Sequence, residues 1–282
     1  MRITMNNHND KGYETMFGDL IKDIFGFSFA PWFERKLWDY RYESYSVIES
    51  GIMLANICIY KTEMNVCNKP FYALQLGGVA TRKDERGKGL SRLLMEHILA
   101  KYPNIPAFLG ANPSVTGFYP RFGFRPVQTY HPQVKAGINN GSYNAIKLNL
   151  DDTAVIKAIH NRKMHSHVLE GFNTQSIQIF HLLLDYPDAI YHLPGCGAIV
   201  VAEQKDDTLF IADVIAEPPV PFDTLQKELP FNGVRGVEFG FCPDWLGVSP
   251  EWMPVDRAKE PYFIRGEWNL PPKFRFPVMS ET

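Results

Sequence analysis

Residues 76–94 read LGGVATRKDERGKGLSRLL, and this stretch decides the fold of the chain. Its first part is a run of small and apolar residues, which is typical of a buried strand. From Leu90 onwards leucines recur at helical spacing, and Gly87 and Gly89 separate the two parts. The stretch therefore predicts a strand that leads through a charged loop directly into an amphipathic helix.

The charged loop has the composition of a phosphate-binding site. Gly87 and Gly89 permit backbone conformations that other residues avoid, so a ligand can approach the main chain closely. The first amides of the following helix have no intrahelical partner and lie at the positive end of its dipole. Three basic side chains add charge here: Arg86, Lys88 and Arg92. The pattern predicts a pyrophosphate site, although an ordinary charged loop between a strand and a helix is the alternative.

Three phosphate-binding designs are distinguished by residue type. A P-loop requires Ser or Thr after its lysine, and here Gly89 follows Lys88. A dinucleotide-binding turn requires a third glycine, and Arg92 stands at that position. The third design binds the pyrophosphate arm of coenzyme A, and the loop fits it.

The segments Val79-Ala80-Thr81 and Arg86-Gly87-Lys88-Gly89-Leu90 resemble motif A of the GNAT N-acetyltransferase family. The resemblance implies acetyl-CoA as cosubstrate, with no metal. It also implies that the strand ending near Val79 splays from its neighbour, so that free backbone groups bind pantetheine and an amide stabilises the oxyanion. Asp84 stands where the family often has Gln or Arg. The residues expected to bind acetyl-CoA are Val79, Ala80, Thr81, Arg86, Gly87, Lys88, Gly89, Leu90, Ser91 and Arg92.

Residues 110–126, GANPSVTGFYPRFGFRP, resemble motif B of the same family and are most similar to the branch of the enhanced intracellular survival protein (Eis). The resemblance implies that Tyr119 is the general acid. A phenol with a pKa near 10 stays protonated at neutral pH, so it can protonate a departing thiolate whose thiol has a pKa of about 8.5. A tyrosine packed in an aromatic turn is the alternative. Asn112 is expected either to bind pantetheine or to cap a helix over residues 115–121.

Periodicity and turn residues predict the elements around these motifs. A helix is expected over residues 13–25, ending at Gly26, and another near residues 34–38. Strands are expected over residues 45–49, 52–60 and 72–81, the first two joined by a tight turn at Ser50-Gly51. Residues 124–129 and 144–150 are expected to finish a sheet.

The length of 282 residues suggests one large domain or two domains of roughly 150 residues each. We predict an α/β fold. Residues 1–150 are expected to form a GNAT N-acetyltransferase domain with a mixed, mostly antiparallel sheet. Residues 151–282 are expected to form a second, smaller α+β domain, either a degenerate GNAT-like copy or an accessory unit. The similar runs Phe122-Gly123-Phe124 and Phe239-Gly240-Phe241 suggest a diverged duplication, or a chance match in a chain rich in Phe and Gly.

Composition limits the partners and the location. The 29 basic and 31 acidic residues give a net charge of -2, which argues against nucleic acid. The longest apolar runs are far shorter than a membrane-spanning helix requires. The sequence starts without an apolar leader, and its 4 cysteines lie far apart, so we expect a cytoplasmic protein with reduced thiols. The histidines 160, 165 and 167 form only a weak metal-site pattern.

Aromatic residues are concentrated between residues 25 and 45. The region is expected either to pack the core or, as the resemblance implies, to form one wall of the acceptor cleft. In the second case aromatic rings, Trp32 and Tyr42 among them, and four acidic residues would hold a cationic amine. These acidic residues are Glu34, Asp39, Glu43 and Glu49.

The general base is not assigned by the sequence, and Glu43, Glu49 and His131 are the candidates. In the Eis branch the terminal carboxylate is implicated, supplied by a further domain. This sequence ends at Thr282 without room for such a domain, so the role is not carried over.

The sequence predicts an acetyl-CoA-dependent N-acetyltransferase that acts on a primary amine of a small molecule or peptide. Direct attack in a ternary complex is expected, since no cysteine has the setting of a nucleophile. A non-catalytic acyl-CoA-binding sensor is the alternative. The resemblance raises polyamine-like and aminoglycoside-type acceptors, and the sequence leaves both the acceptor and homo-oligomer formation open.

Overall fold

The computed structural model describes residues 2–138 and 144–282. The elements of the first half, in chain order, are β1 (Arg2–Asn6), α1 (Lys11–Phe25), α2 (Ala30–Glu34), β2 (Tyr42–Glu49), β3 (Ile52–Val66), β4 (Lys69–Thr81), α3 (Leu90–Lys101), β5 (Ala107–Gly110), β6 (Arg125–Val127), β7 (Tyr130–Ile138) and β8 (Ile146–Leu148). Those of the second half are α4 (Thr153–His160), β9 (Leu169–Phe172), α5 (Gln175–Leu184), β10 (Ile190–Leu193), β11 (Ala198–Lys205), β12 (Thr208–Ile215), α6 (Phe222–Glu228), β13 (Val234–Phe239), β14 (Glu251–Pro254) and β15 (Tyr262–Arg265).

Capping and turn residues set the boundaries of the N-terminal elements. The Asp10 side chain accepts a hydrogen bond from the Tyr13 amide and begins α1, and Gly26 ends the helix with a φ of 82°. Ser50 and Gly51 both have positive φ and form the tight turn between β2 and β3. The sequence predictions for this helix and this hairpin are confirmed.

Prolines explain two differences from the predicted helices. Pro31 lies in the first turn of α2, so that helix precedes the predicted residues 34–38. The helix predicted over residues 115–121 is replaced by two 3-10 turns, Pro113–Val115 and Tyr119–Phe122. Pro120 has no amide hydrogen to donate inside a longer helix.

Two sheets organise the described residues. The first has the order β1-β2-β3-β4-β5-β15-β6, with β9 added along β3, and the second has the order β14-β7-β13-β12-β11-β10-β8. Neighbouring strands are antiparallel except for β4 with β5 and β12 with β13, which are parallel. The helices α3 and α6 make these two crossovers. The predicted α/β class with mixed, mostly antiparallel sheets is confirmed.

The two halves of the chain exchange strands. β7 comes from the first half and lies between β13 and β14 in the second sheet, whereas β15 comes from the second half and lies between β5 and β6. Of the segments expected to finish one sheet, β6 joins the first sheet and β8 joins the second. Each sheet is therefore complete only when both halves are folded, and a division of the chain at residue 150 stays a prediction.

A repeated strand–helix–strand unit relates the two halves. β4-α3-β5 and β12-α6-β13 are both parallel crossovers, and the first strand of each carries a bulge. The two Phe-Gly-Phe runs do not mark equivalent positions, since residues 122–124 precede β6 whereas Phe239 ends β13.

The aromatic residues before β2 form a core between the sheet and the helices. Trp32 is 1% exposed, and its indole nitrogen donates to the Ser176 carbonyl of α5 at 2.9 Å. Trp38 stacks on Phe33 and donates to the Tyr42 carbonyl at 2.8 Å. For the two tryptophans the core-packing interpretation holds.

A buried ion cluster joins the two sheets. The Arg162 guanidinium contacts both carboxylate oxygens of Asp213 on β12, in the second sheet, and Glu170 on β9, in the first, at 3.2 Å. The second oxygen of Glu170 accepts from the amides of His165 and Ser166 at 2.8 Å. Among the described residues the Arg162 Nε atom has no partner, but both Nη atoms are paired with the carboxylates, so the cluster holds one sheet against the other.

Replacing Arg162 with Ala should lower the free energy of unfolding by about 3–5 kcal/mol, because it leaves two buried carboxylates unpaired. Urea unfolding at neutral pH measures the change. Lys147→Ala is the matched control, since Lys147 pairs with Asp188 at 3.6 Å on the exposed surface, and it should change stability by less than about 0.5 kcal/mol. Equal midpoints for the two variants would contradict a bridging role.

Candidate active site

The strands β4 and β5 part after a short stretch of pairing. Their register pairs are Leu74 with Ala107 and Gln75 with Phe108. β4 then continues to Thr81 and β5 to Gly110 without further pairs between them. Backbone groups along both strands therefore face an opening, in the arrangement that the resemblance implies.

A bulge in β4 lies at this opening. Asn56 pairs with Ala80 and Cys58 with Gly77, so Gly78 and Val79 together stand opposite one residue of β3. Gly78 has a φ of 54°, a conformation that glycine adopts without strain. Its carbonyl accepts a hydrogen bond of 3.0 Å from the Asn56 side chain. The bulge takes the chain at Val79 out of regular pairing.

A buried polar network holds Asn56. Its side-chain oxygen accepts hydrogen bonds from Ser44 at 2.5 Å and from Ser46 at 2.8 Å. The Tyr13 hydroxyl contacts the same two serine hydroxyls at 2.8 and 2.5 Å. Sequence reasoning missed this network, although polar residues in otherwise apolar strands were a visible signal. It connects α1 to the bulge, and every member is buried and bonded.

The predicted phosphate loop lies at the N-terminus of α3, next to the end of β4. Gly87 and Gly89 have φ values of 80° and 82° and no neighbouring atom where a side chain would begin. Gly89 precedes the helix without any side-chain cap, so the first helical amides are free for a ligand. The Thr81 and Ser91 hydroxyls lie 2.7 Å apart and tie the end of β4 to α3.

The basic side chains of this loop are exposed beside the free amides. Arg86 makes one long hydrogen bond to the Thr81 carbonyl at 3.4 Å, and Lys88 pairs with Glu85 at 3.0 Å. Arg92 is exposed on the first turn of α3. The structure therefore brings the predicted residues 79–81 and 86–92 together along one edge of the opening.

Tyr119 lies in the turn that follows β5 and is 3% exposed. Its ring packs against Phe118 and Phe124 and against Phe263 of β15. Burial raises the pKa of Tyr119 to about 12. The hydroxyl has no hydrogen-bond partner in residues 2–138 and 144–282, so it remains protonated with its proton uncommitted.

Asn112 precedes the turn Pro113–Val115 and caps it. Its side-chain oxygen accepts from the Ser114 amide at 2.9 Å and from the Ser114 hydroxyl at 2.7 Å. This is the capping alternative, on a 3-10 turn instead of the predicted helix. A contact with pantetheine stays a prediction.

The C-terminal segment reaches the opening. Thr282 packs against Gly77, where a Cβ atom would lie 2.6 Å from the Thr282 Oγ1 atom. The Glu281 carbonyl lies 2.7 Å from His181 Nε2, and the Tyr262 hydroxyl donates to the Glu281 carboxylate at 2.7 Å. The second half of the chain thus brings Thr282 to β4.

Burial raises the pKa of Glu281 to about 7, against the opposing hydrogen bond from Tyr262. The neighbouring His181 also bonds Asp185, with 2.6 Å between Nδ1 and Oδ2. These contacts fix the last residues of the segment beside the bulge.

A cavity of about 410 Å³ opens at the bulge. Gly78 and Thr282 lie at this end, and the remaining walls come from α1, the segment after it, β2 and α5. The other lining residues are Ile21, Phe25, Phe27, Phe29, Tyr42, Ile177, Phe180, Leu184 and Asp185.

The candidate bases named from the sequence all lie outside the lining of this cavity. Burial disfavours the charge on Glu43, but hydrogen bonds from Lys61, Tyr45 and Tyr102 outweigh it and lower the pKa to about 2. Glu49 is exposed at the β2–β3 turn. His131 on β7 contacts Glu238 at 2.8 Å in the second sheet.

The second crossover lacks these features. The segment before α6 contains Pro218, Pro219 and Pro221, with Glu217 and Asp223 on either side, in place of glycines and basic residues. The Val278 amide donates to the Gly240 carbonyl at 2.9 Å, so the C-terminal segment packs beside the bulge of β12. Acidic charge at this helix disfavours an anion.

Two further findings concern metal ions and membrane-spanning helices. Within the described residues, no three His, Cys, Asp or Glu side chains are placed to hold a metal ion. His165 instead bonds the Ala216 carbonyl and His167 bonds Asn68. No helix in the part of the chain described here is long and apolar enough to cross a membrane.

Comparison with known proteins identifies the class. Residues 9–127 match the family model of the acetyltransferase (GNAT) domain. This segment contains β4, the loop, α3, β5 and Tyr119. The chain therefore carries an acetyltransferase (GNAT) domain within these residues.

Solved structures share the fold over nearly the whole chain. Eis1 from Mycobacterium abscessus is 13% identical, with a TM-score of 0.57 over 93% of this chain and 73% of that one. A probable N-acyltransferase of unknown function from Enterococcus faecalis V583 is 14% identical, with a TM-score of 0.58 over 94% and 73%. A GCN5-related N-acetyltransferase from Kribbella flavida is 16% identical, with a TM-score of 0.55 over 93% and 70%. Among curated proteins, none matches the chain. The fold is thus Eis-like, as the motifs predicted.

Gly77→Ala should destabilise the protein by about 1–3 kcal/mol, because the new methyl group overlaps Thr282. Thermal or urea unfolding measures the loss. Adding Thr282→Gly should recover part of it, since the overlapping Oγ1 and Cβ atoms are removed. Gly18→Ala in α1 is the control, because its nearest neighbour, Phe33, lies 4.0 Å away. A Gly77→Ala variant as stable as the parent would contradict the contact.

Proposed function

We propose that this chain transfers an acetyl group from acetyl-CoA to a primary amine of a small molecule or peptide, with both substrates bound together. The observation that carries the proposal is the opening between β4 and β5. It has free helix amides and basic side chains at one end, Tyr119 beside it and a cavity at the bulge.

Acetyl-CoA fits the residues that border this opening. The free amides at the start of α3 and the charges of Arg86, Lys88 and Arg92 are suited to its phosphates. The side of residues 77–81 that no longer pairs with β5 is suited to its pantetheine amides. Bound there, acetyl-CoA supplies an activated acetyl thioester.

The bulge and Tyr119 supply the groups that the chemistry requires. The main chain at Val79 is out of regular pairing, so its amide can donate to the oxygen that becomes negative. A bond forms between the amine nitrogen and the acetyl carbon, and the bond from carbon to sulfur breaks. The proton that the amine loses passes to water, from which Tyr119 is afterwards reprotonated. Tyr119, kept protonated by burial, gives its proton to the departing sulfur.

The cysteines support direct transfer without a covalent enzyme intermediate. Burial raises the pKa of Cys58 to about 11 and that of Cys242 to about 12, so neither forms a thiolate at neutral pH. All four cysteines are free thiols. Unpaired cysteines also support a cytoplasmic location.

Binding and turnover test the proposal separately. Acetyl-CoA should raise the melting temperature, and Arg92→Ala should weaken the affinity roughly three- to tenfold, more at low salt. Lys227→Ala, an exposed cation on α6, is the control and should bind normally. Release of CoA with a broad panel of primary amines should follow. Binding without release for any amine would favour an acyl-CoA sensor, and absence of binding would overturn the proposal.

Tyr119→Phe should lower kcat by about 10²-fold or more while the KM for acetyl-CoA stays unchanged, because the ring packing is kept and only the proton is lost. Steady-state CoA release measures both values. Tyr186→Phe is the matched control, since burial raises the pKa of that phenol to about 12 as well, but it lies against Phe210 of the second sheet. Full activity of the Tyr119→Phe variant would show that Tyr119 is not the general acid, and it would leave the proposed acetyl transfer intact.

A further inference from the structure

The cavity beside the bulge differs from the cationic cleft expected from the sequence. It is lined by side chains of α1, β2, α5 and the segment between α1 and α2. Gly78 of the bulge also lines it, next to the opening between β4 and β5. An amine bound in it would therefore meet the acetyl group at the bulge. Its volume of about 410 Å³ suits a small organic molecule rather than a metabolite of one or two carbons.

The walls of this cavity are apolar. Aromatic rings of Phe25, Phe27, Phe29 and Phe180 form one continuous cluster, with centroid distances of 4.9–6.2 Å. Aliphatic residues complete the wall. Surfaces of this kind bind apolar groups by removing them from water.

Phe25 and Phe27 are more exposed than aromatic residues of the core. They are 47% and 37% exposed, respectively, at the mouth of the cavity. Exposed aromatic residues that line a cavity are typical of ligand contacts. A bound apolar group would cover both rings.

Negative charge is scarce in this cavity. None of the four acidic residues expected to hold a cation, Glu34, Asp39, Glu43 and Glu49, lines it. Among the described residues of the lining, Asp185 is the one with an acidic side chain, and His181 already bonds it. A molecule with several ammonium groups would leave charges against apolar walls without partners, which is strongly unfavourable.

Polar atoms do occur at the end nearest the bulge. The Thr282 hydroxyl is buried without a hydrogen-bond partner within residues 2–138 and 144–282. It lies against Gly77, next to Gly78 of the bulge. Thr282, Asp185 and the main chain of Gly78 are thus polar parts of a lining that is otherwise largely apolar.

From this polarity we infer that the acceptor is a primary amine with one ammonium group and an apolar body, such as an arylalkylamine or a medium-length alkylamine. The inference rests on the proposed function. The rings of Phe25, Phe27 and Phe180 bind the body, and the amine points to Gly78. Polyamines and aminoglycosides are excluded by their number of charges.

CoA release from acetyl-CoA tests the inference with five acceptors: propylamine, hexylamine, 2-phenylethylamine, spermidine and an aminoglycoside. Each buried methylene contributes about fourfold to affinity. Hexylamine and 2-phenylethylamine should therefore have a kcat/KM at least tenfold above propylamine and spermidine. Equal values, or a preference for spermidine or the aminoglycoside, would overturn the inference and leave the acetyltransferase function intact.

Two variants of Phe27 test whether the preference for apolar amines arises in the cavity. Phe27→Ala should lower kcat/KM for 2-phenylethylamine at least fivefold by raising KM, and the kcat/KM for propylamine should stay nearly unchanged. Phe27→Leu should lower kcat/KM for 2-phenylethylamine less, because leucine keeps part of the apolar contact. Tyr40→Ala is the control, because Tyr40 is exposed and lies outside the lining. An equal decrease of kcat/KM for both amines in the Phe27→Ala variant would contradict an apolar contact between Phe27 and the body of the amine.

Failure of the proposed function gives a different result. If acetyl-CoA binds but no amine releases CoA, the acetyltransferase proposal fails. Calorimetry with 2-phenylethylamine and propylamine then decides the inference. Tighter binding of the aromatic amine by at least tenfold supports it, and equal binding overturns it.

Discussion

The hydrogen bond from Asn56 to the Gly78 carbonyl is the constraint on which the site depends. It stabilises a bulge at which β4 leaves regular pairing, just where β4 parts from β5. Ser44 and Ser46 hold the Asn56 amide, and Tyr13 links this network to α1. Because every member is buried, loss of one bond would leave an unsatisfied polar group, so the bulge is held in one conformation.

Completion of the site depends on the second half of the chain. β15 occupies the position between β5 and β6, and its Phe263 packs on Tyr119. α5 supplies one wall of the cavity, and the C-terminal segment brings Thr282 to Gly77. The second crossover has prolines and acidic residues where the first has glycines and basic ones. The first half thus carries the predicted phosphate loop, and the second half supplies part of the walls.

Much of the first half was predictable because its signals are local. Three of these signals involve only residues a few positions apart. They are the helical spacing of the leucines from Leu90, the glycines of the loop and Gly26 at the end of α1. The helix predicted over residues 115–121 failed at Pro120, where a missing amide outweighs the apolar pattern. β1 and β9 were missed because edge strands are stabilised by pairing with distant segments. The buried core position of Trp32 and the remote positions of Glu43 and His131 depend on such pairing as well.

The sequence by itself determined the parts in which neighbouring residues act together. These are the glycine-containing loop before α3, the turn that carries Tyr119 and the mixed α/β class. The tertiary structure alone decided which side chains meet across the chain. Charge and aromatic content suggested a cationic cleft, but burial paired Glu43 with lysine and left Phe25, Phe27 and Phe180 around the cavity. The reason is that long-range contacts follow from strand pairing and packing, which no local pattern of residues encodes.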